Sequence, residues 1–306
     1  NSRVTQVFPK DATPTFASRA GLARPRVNPW EAVIPEMEAG TMAIIAAYSF
    51  CNRNFSGFIA GAASAGFENV AIAFYPNYYD ELIENMTDED LRSLRERLSI
   101  VGLTPVAAYV RSDLLAENGL DLLMRRLDGV KRFGLTLADT GAAVLDPDAS
   151  AAERERVTDQ FVEGIRVAGD HAGQLGITIA LESHGGLTGS ADACLALMER
   201  VDHEHVRIAF DPANFLFYEG ADPHERLDEL VPFIAHTHCK DHLGGKNNPE
   251  FPLIGEGEVG YDRLLPRLMA LGYDGPHTLE RAPGRMDDEI ALSMHRAHEY
   301  LIRMLN

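Results

Sequence analysis

Short apolar runs alternate along the chain with longer segments in which apolar residues recur at helical spacing. Continuous apolar runs of seven or eight residues are typical of strands that are buried on both faces. We predict strands over residues 43–49, 69–75, 104–110, 135–141, 177–183, 206–212, 233–240 and 276–282. The segments after them predict helices over residues 55–67, 87–102, 117–133, 150–175, 189–200, 223–230, 260–271 and 286–304. Thr87 and Asp90 resemble a capping box at the start of the second helix.

Eight strand–helix pairs in strict alternation predict a parallel sheet with helices covering both faces. Eight units favour closure into a barrel over an open doubly wound sheet, whose usual nucleotide-binding signatures, GxGxxG and GxxxxGK[ST], are missing from the sequence. We therefore predict an α/β fold, a single (β/α)8 TIM barrel over residues 42–306 that forms the catalytic domain. Residues 1–41 carry five prolines and little periodicity, so we predict an irregular N-terminal extension that wraps the barrel or joins a partner subunit in a homo-oligomer.

Four side chains able to hold a divalent cation lie near the carboxyl ends of the last four predicted strands. Glu182 follows ITIAL, Asp211 follows VRIAF, His238 lies within FIAHTH, and Glu280 follows HTL. Their separations of 27 to 42 residues correspond to one strand plus one crossover helix. Because the carboxyl ends of barrel strands open into one mouth, we expect the four side chains to converge on a metal ion in an active site.

Each of these residues also has a structural interpretation when it is taken alone. A Glu at a strand end is as often an ion-pair partner, and Asp211 before Pro212 is as often a helix or turn cap. A buried His is more often satisfied by its neighbours than bound to a metal. The occurrence of ligand-type residues at the ends of four consecutive strands favours the metal site.

The donor types indicate which ion and which chemistry to expect. Three carboxylates and one neutral imidazole around a divalent cation leave a net charge of −1, and oxygen-rich coordination suits Mn²⁺ or Mg²⁺, with Co²⁺ or Zn²⁺ as alternatives. Mn²⁺ is our first expectation. A sugar with a carbonyl next to a hydroxyl offers two further ligand oxygens, and the metal charge would stabilise the enediolate formed on proton loss. Glu182 and Glu280 are suited to remove and return that proton.

Net charge and cysteine content exclude several classes of function. A formal charge of −18 repels a phosphate backbone, so we predict no nucleic-acid partner. Cys51, Cys194 and Cys239 are an odd number without a CxxC pair, which argues against a disulfide framework and a thiolate metal site. No apolar stretch approaches the roughly 18 residues of a membrane span, and the first residues lack the layout of a signal peptide. We predict a cytoplasmic protein without a membrane partner.

The segments ALESHGGLTGS, AFDPANF, HTHCKDH and GEGEVGYDRLLPRLMALGYDGPHTLE cover about residues 177–281. They resemble the xylose isomerase-like TIM-barrel superfamily, and specifically its sugar (phosphate) isomerase/epimerase branch, which includes ketose 3-epimerases and inosose dehydratase. The resemblance implies metal dependence, with Glu182, Asp211, His238 and Glu280 as ligands. It also implies that Glu182 and Glu280 form the proton-transfer pair.

The resemblance also suggests which side chains contact the substrate. His184 and Lys240 match positions that commonly face it, and Asn214 stands where ketose 3-epimerases tend to have a His, which departs from the pattern of that class. Tyr109 is expected in the sugar pocket, as are Tyr48 and Tyr75, although aromatic residues at barrel rims are as often packing. Arg111 and Asp139 are further polar candidates. The related endonuclease IV branch needs many more His and carboxylate ligands than the first four strands offer.

The leading hypothesis is a metal-dependent isomerase or epimerase that transfers a proton on a sugar or sugar derivative. The alternative enzyme is a lyase that uses the same site on a keto-sugar, either as an inosose-type dehydratase or by cleaving a 3-keto-glycoside. A third hypothesis from another class is a non-catalytic barrel that binds a sugar, with the metal structural or absent.

Overall fold

The computed structural model describes residues 43–76, 78, 79, 81–145 and 148–306. The predicted extension over residues 1–41 lies outside this range. Eight strands follow one another along the chain: β1 Ile45–Tyr48, β2 Asn69–Ala73, β3 Thr104–Tyr109, β4 Leu137–Gly141, β5 Thr178–Glu182, β6 Val206–Phe210, β7 Ile234–Cys239 and β8 His277–Leu279.

The strands form a closed barrel in sequence order. All neighbouring pairs are parallel, and closure is made by β1 and β8, where Ile45 pairs with His277. The sequence-based prediction of an eight-stranded TIM barrel is therefore confirmed. Because all strands run in the same direction, their carboxyl ends share one mouth.

Helices follow the strands and cover the outside of the barrel. They are α1 Phe55–Ala65, α2 Asp88–Ile100, α3 Gly119–Arg132, α4 Ala151–Leu175, α5 Ala191–Val201, α6 Pro212–Asn214, α7 Leu227–Leu230, α8 Tyr261–Ala270 and α9 Asp287–Leu305. The predicted capping box is present at α2, where Thr87 and Asp90 exchange hydrogen bonds. None of the helices in the described ranges is both long and apolar enough to cross a membrane.

The barrel interior is lined largely by small residues. The inner apolar cluster contains Ala71, Ala73, Ala107, Ala180, Ala209 and Ala235, with Tyr48, Tyr109 and Leu137 as its larger members. Methyl side chains leave room inside a ring that branched residues commonly fill. That room is occupied by polar side chains of β4 and β7, which lie beneath the mouth.

Three local features differ from the predicted elements. Strand β6 ends at Phe210, and α6 continues as a single π-helical turn over Phe215–Glu219. The helix predicted over residues 223–230 is reduced to α7. Between β6 and β7 the register shifts, because Ile208 pairs with Ile234 whereas Ala209 pairs with His236. Such a bulge changes which side chains face inward.

Candidate metal centre

The four predicted ligands converge at the mouth of the barrel. One ligand atom each from Glu182, Asp211, His238 and Glu280 lies within 4.8 Å of the others. The Nδ1 atom of His238 is 3.4 Å from Oε2 of Glu280 and 3.8 Å from Oε1 of Glu182. Neither His238 Nδ1 nor Glu280 Oε2 has a hydrogen bond of ordinary geometry within the described part of the chain. Buried polar atoms normally have a partner, so their convergence fits a cation between them.

In each of the two glutamates, one carboxylate oxygen faces the cluster, and the other accepts a hydrogen bond from a neighbouring side chain. The hydroxyl of Tyr109 donates to Oε2 of Glu182 at 3.1 Å. The ammonium of Lys240 donates to Oε1 of Glu280 at 3.0 Å. Both neighbours line the open cavity above the cluster. One oxygen of each glutamate can therefore ligate an ion while the other faces the substrate space.

Asp211 combines the two roles that the sequence left as alternatives. Its Oδ1 caps α6 by accepting hydrogen bonds from the N–H groups of Ala213 and Asn214 at 3.0 and 3.2 Å. Its Oδ2 lies 2.6 Å from the Lys240 ammonium, within the cluster. Pro212 at the first helical position fixes the turn directly after the strand. The cap therefore orients the carboxylate that faces the candidate ion.

The three carboxylates of the cluster outnumber its one lysine, Lys240, whose ammonium lies against Asp211 and Glu280. Burial raises the pKa of Asp211 to about 8, and the Glu280 carboxylate adds to this rise, although Lys240 opposes it. Burial also raises the pKa of Glu280, but Lys240 and His238 outweigh that effect and hold it well below its ordinary value. Three carboxylates so close together cannot all ionise unless positive charge is supplied. The oxygen-rich set fits a hard divalent ion.

A buried network beneath the cluster fixes the imidazole of His238. Oδ2 of Asp139 lies 3.2 Å from Nε2 of His238 and 2.7 Å from Nδ1 of His236, and it accepts a hydrogen bond from the Tyr48 hydroxyl at 2.6 Å. The far nitrogen of His236 lies 2.6 Å from Oγ1 of Thr278. Although burial opposes it, the two histidines keep the pKa of Asp139 low. An ionised Asp139 holds the proton of His238 on Nε2, which leaves Nδ1 for a metal.

The sequence singled out Asp139 without giving it this role. Asp139 lies with Leu137 in the row of β4 that faces the barrel interior. A charged residue within a buried strand was the feature of the sequence that could have indicated this role. The alternation of side chains along a strand puts His236 on the same face as His238 and Lys240, and the structure buries all three. Their contacts join residues about 40 to 100 positions apart and could not be obtained from local patterns.

We expect Asp139→Asn to weaken metal binding about 10- to 100-fold, because it removes the anion that orients the His238 ring. Dissociation constants for Mn²⁺ and Mg²⁺, measured by isothermal titration, would test this. Tyr48→Phe is the matched control, since it removes a donor to the same carboxylate but keeps the ring that packs against His238. Equal loss of affinity in the two variants, or none in Asp139→Asn, would contradict the assignment.

An open cavity of about 250 Å³ lies above the cluster, and we call it the mouth cavity. Glu182, Glu280 and His184 reach it from below. Aromatic and cationic side chains form its walls, namely Phe50, Tyr75, Tyr78, Tyr109, Phe251, Arg111, Lys240 and Arg281. The hydroxyl of Tyr218 lies 2.8 Å from Nε2 of His184 and orients that ring. Polar groups above the cluster and flat aromatic walls suit a small polyhydroxylated molecule.

The structure places the remaining predicted site residues as follows. Lys240, His184, Tyr109 and Tyr75 line the mouth cavity. Asn214 is 2% exposed in α6 and is not among the residues that line the mouth cavity, and its contact with substrate stays a prediction. Tyr48 is buried below the cluster and contacts Asp139 instead of the cavity.

Comparisons with known proteins identify the family and the fold of the chain. The family model described as xylose isomerase-like TIM barrel matches residues 59–299. A 3-dehydroshikimate dehydratase from Bacillus anthracis is 30% identical over 257 residues, which cover 72% of this chain and 86% of that protein.

Two solved structures have the same fold. One is D-psicose 3-epimerase with D-tagatose from Clostridium cellulolyticum H10, at 14% identity and a TM-score of 0.66, covering 86% of this chain and 99% of that one. The other is a xylose isomerase-like TIM barrel protein from Mycobacterium smegmatis in complex with magnesium, at 21% identity and a TM-score of 0.66, covering 87% and 98%.

Proposed function

Because the chain belongs to the xylose isomerase-like TIM barrel family, we propose that it is a divalent-metal-dependent enzyme that transfers a proton next to the carbonyl of a sugar or sugar derivative. Isomerisation or epimerisation is the outcome we propose first. The observation that carries the proposal is the cluster of Glu182, Asp211, His238 and Glu280 beneath the mouth cavity.

We propose that these four residues hold the ion, with Mn²⁺ as the first candidate and Mg²⁺, Co²⁺ or Zn²⁺ as alternatives. When bound, such an ion polarises a substrate carbonyl and stabilises the negative charge that develops on its oxygen. His238 would contribute Nδ1, since its other nitrogen is engaged by Asp139. Glu182 and Glu280 would contribute the oxygens nearest to Nδ1.

The second oxygens of the two glutamates are suited to proton transfer. They come from the ends of β5 and β8 and are held by Tyr109 and Lys240, which line the mouth cavity. Burial raises the pKa of both glutamates, but nearby groups outweigh it. His238 lowers the pKa of Glu182, and Lys240 and His238 lower that of Glu280. Both side chains are therefore ionised at neutral pH. One ionised glutamate can accept the proton next to the carbonyl and, as the carboxylic acid so formed, can return it to the neighbouring carbon in an isomerisation. In an epimerisation, the opposite glutamate first takes up a proton from solvent and then delivers it to the other face.

A lyase is the second candidate, favoured by the 30% identity to a dehydratase. Proton removal is the same first step, but the electron pair then expels a β-substituent as water or an alcohol. The Lys240 ammonium lies among the carboxylates at the cavity floor and is a suitable proton donor to the leaving oxygen. Dehydration of a keto-polyol and cleavage of a 3-keto-glycoside both follow this course.

Incubation of Mn²⁺-loaded protein with a panel of keto-sugars in D₂O tests the proposal. We expect deuterium at the carbon next to the carbonyl, detected by NMR and mass spectrometry. Deuterium in an isomer or epimer with no loss of water supports the first outcome, and an unsaturated or cleaved product supports the lyase. Absence of exchange and product across the panel would exclude proton-transfer chemistry on this class.

A further inference from the structure

Two arginines that line the mouth cavity have no carboxylate partner. Arg111 follows the end of β3, Arg281 follows the end of β8, and both residues are exposed. Neither guanidinium forms an ion pair or a hydrogen bond within the described part of the chain. Each lies instead over an aromatic ring, with the Cζ of Arg111 6.0 Å from the centroid of Tyr75 and that of Arg281 5.0 Å from the centroid of Phe251. Contact with a ring face uses no N–H donor, so the donors of both guanidiniums stay available to a ligand.

The other charges around the cavity balance one another once a divalent ion is bound. Among the described lining residues, the only carboxylates are Glu182 and Glu280, which belong to the cluster. Together with Asp211 they carry three negative charges. The ammonium of Lys240, which lies 2.6 Å from Asp211 and 3.0 Å from Glu280, and the ion supply three positive charges. The two arginines therefore leave an excess of positive charge in the lining.

This local excess is opposite in sign to the charge of the chain as a whole, which is formally −18. Positive groups in a cleft concentrate an anionic ligand there, because the low-dielectric walls focus their field. A neutral sugar would leave both guanidiniums without a charged partner, whereas an anionic substituent could pair with one of them. The distribution of charge thus favours an anionic substrate.

A carboxylate fits the lining of the mouth cavity better than a phosphate does. The planar guanidinium fork matches the two oxygens of a carboxylate in a bidentate contact. Phosphate sites in TIM barrels commonly use backbone N–H groups of loops and the N-terminus of a helix. None of the described residues that line the mouth cavity is a glycine or belongs to an α-helix.

Of the two arginines, Arg281 is better placed to bind the carboxylate. It directly follows the proposed ligand Glu280 and lines only the mouth cavity, whereas Arg111 also lines a neighbouring space that includes Asp113. The Nζ atom of Lys240 lies 5.9 Å from the same ring as the Arg281 guanidinium, but its charge is already engaged by two carboxylates. The free positive charge on this wall is therefore that of Arg281.

Resting on the proposed function, we infer that the substrate is an acidic keto-sugar whose carboxylate is bound by Arg281. The carboxylate lies at the wall that Arg281 forms with Phe251, and the carbonyl and hydroxyl groups lie above the cluster. Arg111 adds to the attraction without binding the carboxylate directly. The mouth cavity thus selects a sugar acid over the corresponding neutral sugar.

Matched ketoses test this inference on the full chain loaded with Mg²⁺. The probes are D-fructose, D-psicose, D-sorbose and D-tagatose, each compared with the acid in which the C6 hydroxymethyl group is oxidised to a carboxylate. Dissociation constants are measured by isothermal titration. We expect at least one acid to bind about tenfold more tightly than its neutral partner, the effect of one hydrogen bond to a charged group. That preference should decrease as the ionic strength rises.

Arginine variants show whether the preference depends on the named side chain. Arg281→Gln should reduce the affinity for the acid to within about twofold of that for the neutral ketose, because the charged hydrogen-bond donor is lost. Arg111→Gln should weaken binding of the acid by a smaller factor. Arg303→Gln is the matched control, since Arg303 is exposed on α9 and lies over the ring of Tyr300 at 5.3 Å, outside the cavity lining. Circular dichroism verifies the fold of each variant.

Equal affinities within every pair, failure of every acid to bind, a preference that survives in Arg281→Gln, or the same loss in Arg303→Gln would overturn the inference. Tighter binding of a ketose 6-phosphate than of the matching acid would contradict the choice of a carboxylate. Deuterium exchange next to the ketone, followed on the same probes in D₂O, separates the inference from the proposed function. A preference for the acid without exchange leaves the role of Arg281 standing and removes the proton-transfer chemistry. Exchange without that preference does the reverse.

Discussion

Glu280→Gln is expected to lower the rate of α-proton exchange in a keto-sugar substrate by about 100- to 10,000-fold, the contribution of a positioned acid or base. The amide keeps the shape of the side chain and can still accept the hydrogen bond from Lys240, but it cannot take up a proton. In the unaltered protein, Lys240 and His238 hold the pKa of Glu280 well below its ordinary value in spite of burial. The carboxylate is therefore ready to act as a base at neutral pH.

The measurement is deuterium incorporation at saturating Mn²⁺, with metal content determined on the same samples, because Glu280 is also a proposed ligand. Glu163→Gln is the matched control, since Glu163 is exposed on α4, away from the cluster. Full exchange by metal-loaded Glu280→Gln would show that another group moves the proton.

Asp211→Asn is expected to reduce metal affinity by more than the about 10- to 100-fold effect of residues that only orient a ligand. The reason is that an amide nitrogen replaces the carboxylate oxygen that faces the cluster. The fold should persist, because Asn is as good a helix cap as Asp, and its oxygen can still accept from the N–H groups of Ala213 and Asn214. Metal titration together with circular dichroism would measure both effects.

Asp222→Asn provides a close control for this experiment. Asp222 also precedes a proline, and its Oδ1 accepts a hydrogen bond from the backbone N–H of His224, two residues further on, at 2.9 Å. It differs in lying outside the metal-ligand cluster. If both variants retained metal equally well, Asp211 would be a structural cap and the four-residue centre would be wrong.

Much of the fold could be predicted because it depends on local patterns. Each barrel strand is an apolar run, each is followed by a helix, and eight such units leave few topologies. In a parallel barrel the carboxyl ends of all strands meet at one mouth, so the sequence could predict that residues at these ends lie close together. Glu182, Asp211, His238 and Glu280 were singled out for this reason. The roles of these residues, the cytoplasmic location, the domain boundary at residue 42 and the absence of a nucleic-acid partner remain predictions.

The sequence by itself determined the order of strands and helices, and hence which four donors meet at the mouth, because successive parallel units place their carboxyl ends side by side. Only the tertiary structure decided which atom of each donor faces the ion. Asp139 engages Nε2 of His238 across 99 residues, and Tyr109 and Lys240 each occupy one oxygen of a glutamate. These features depend on distances between side chains far apart in the chain, which close packing fixes and local periodicity does not.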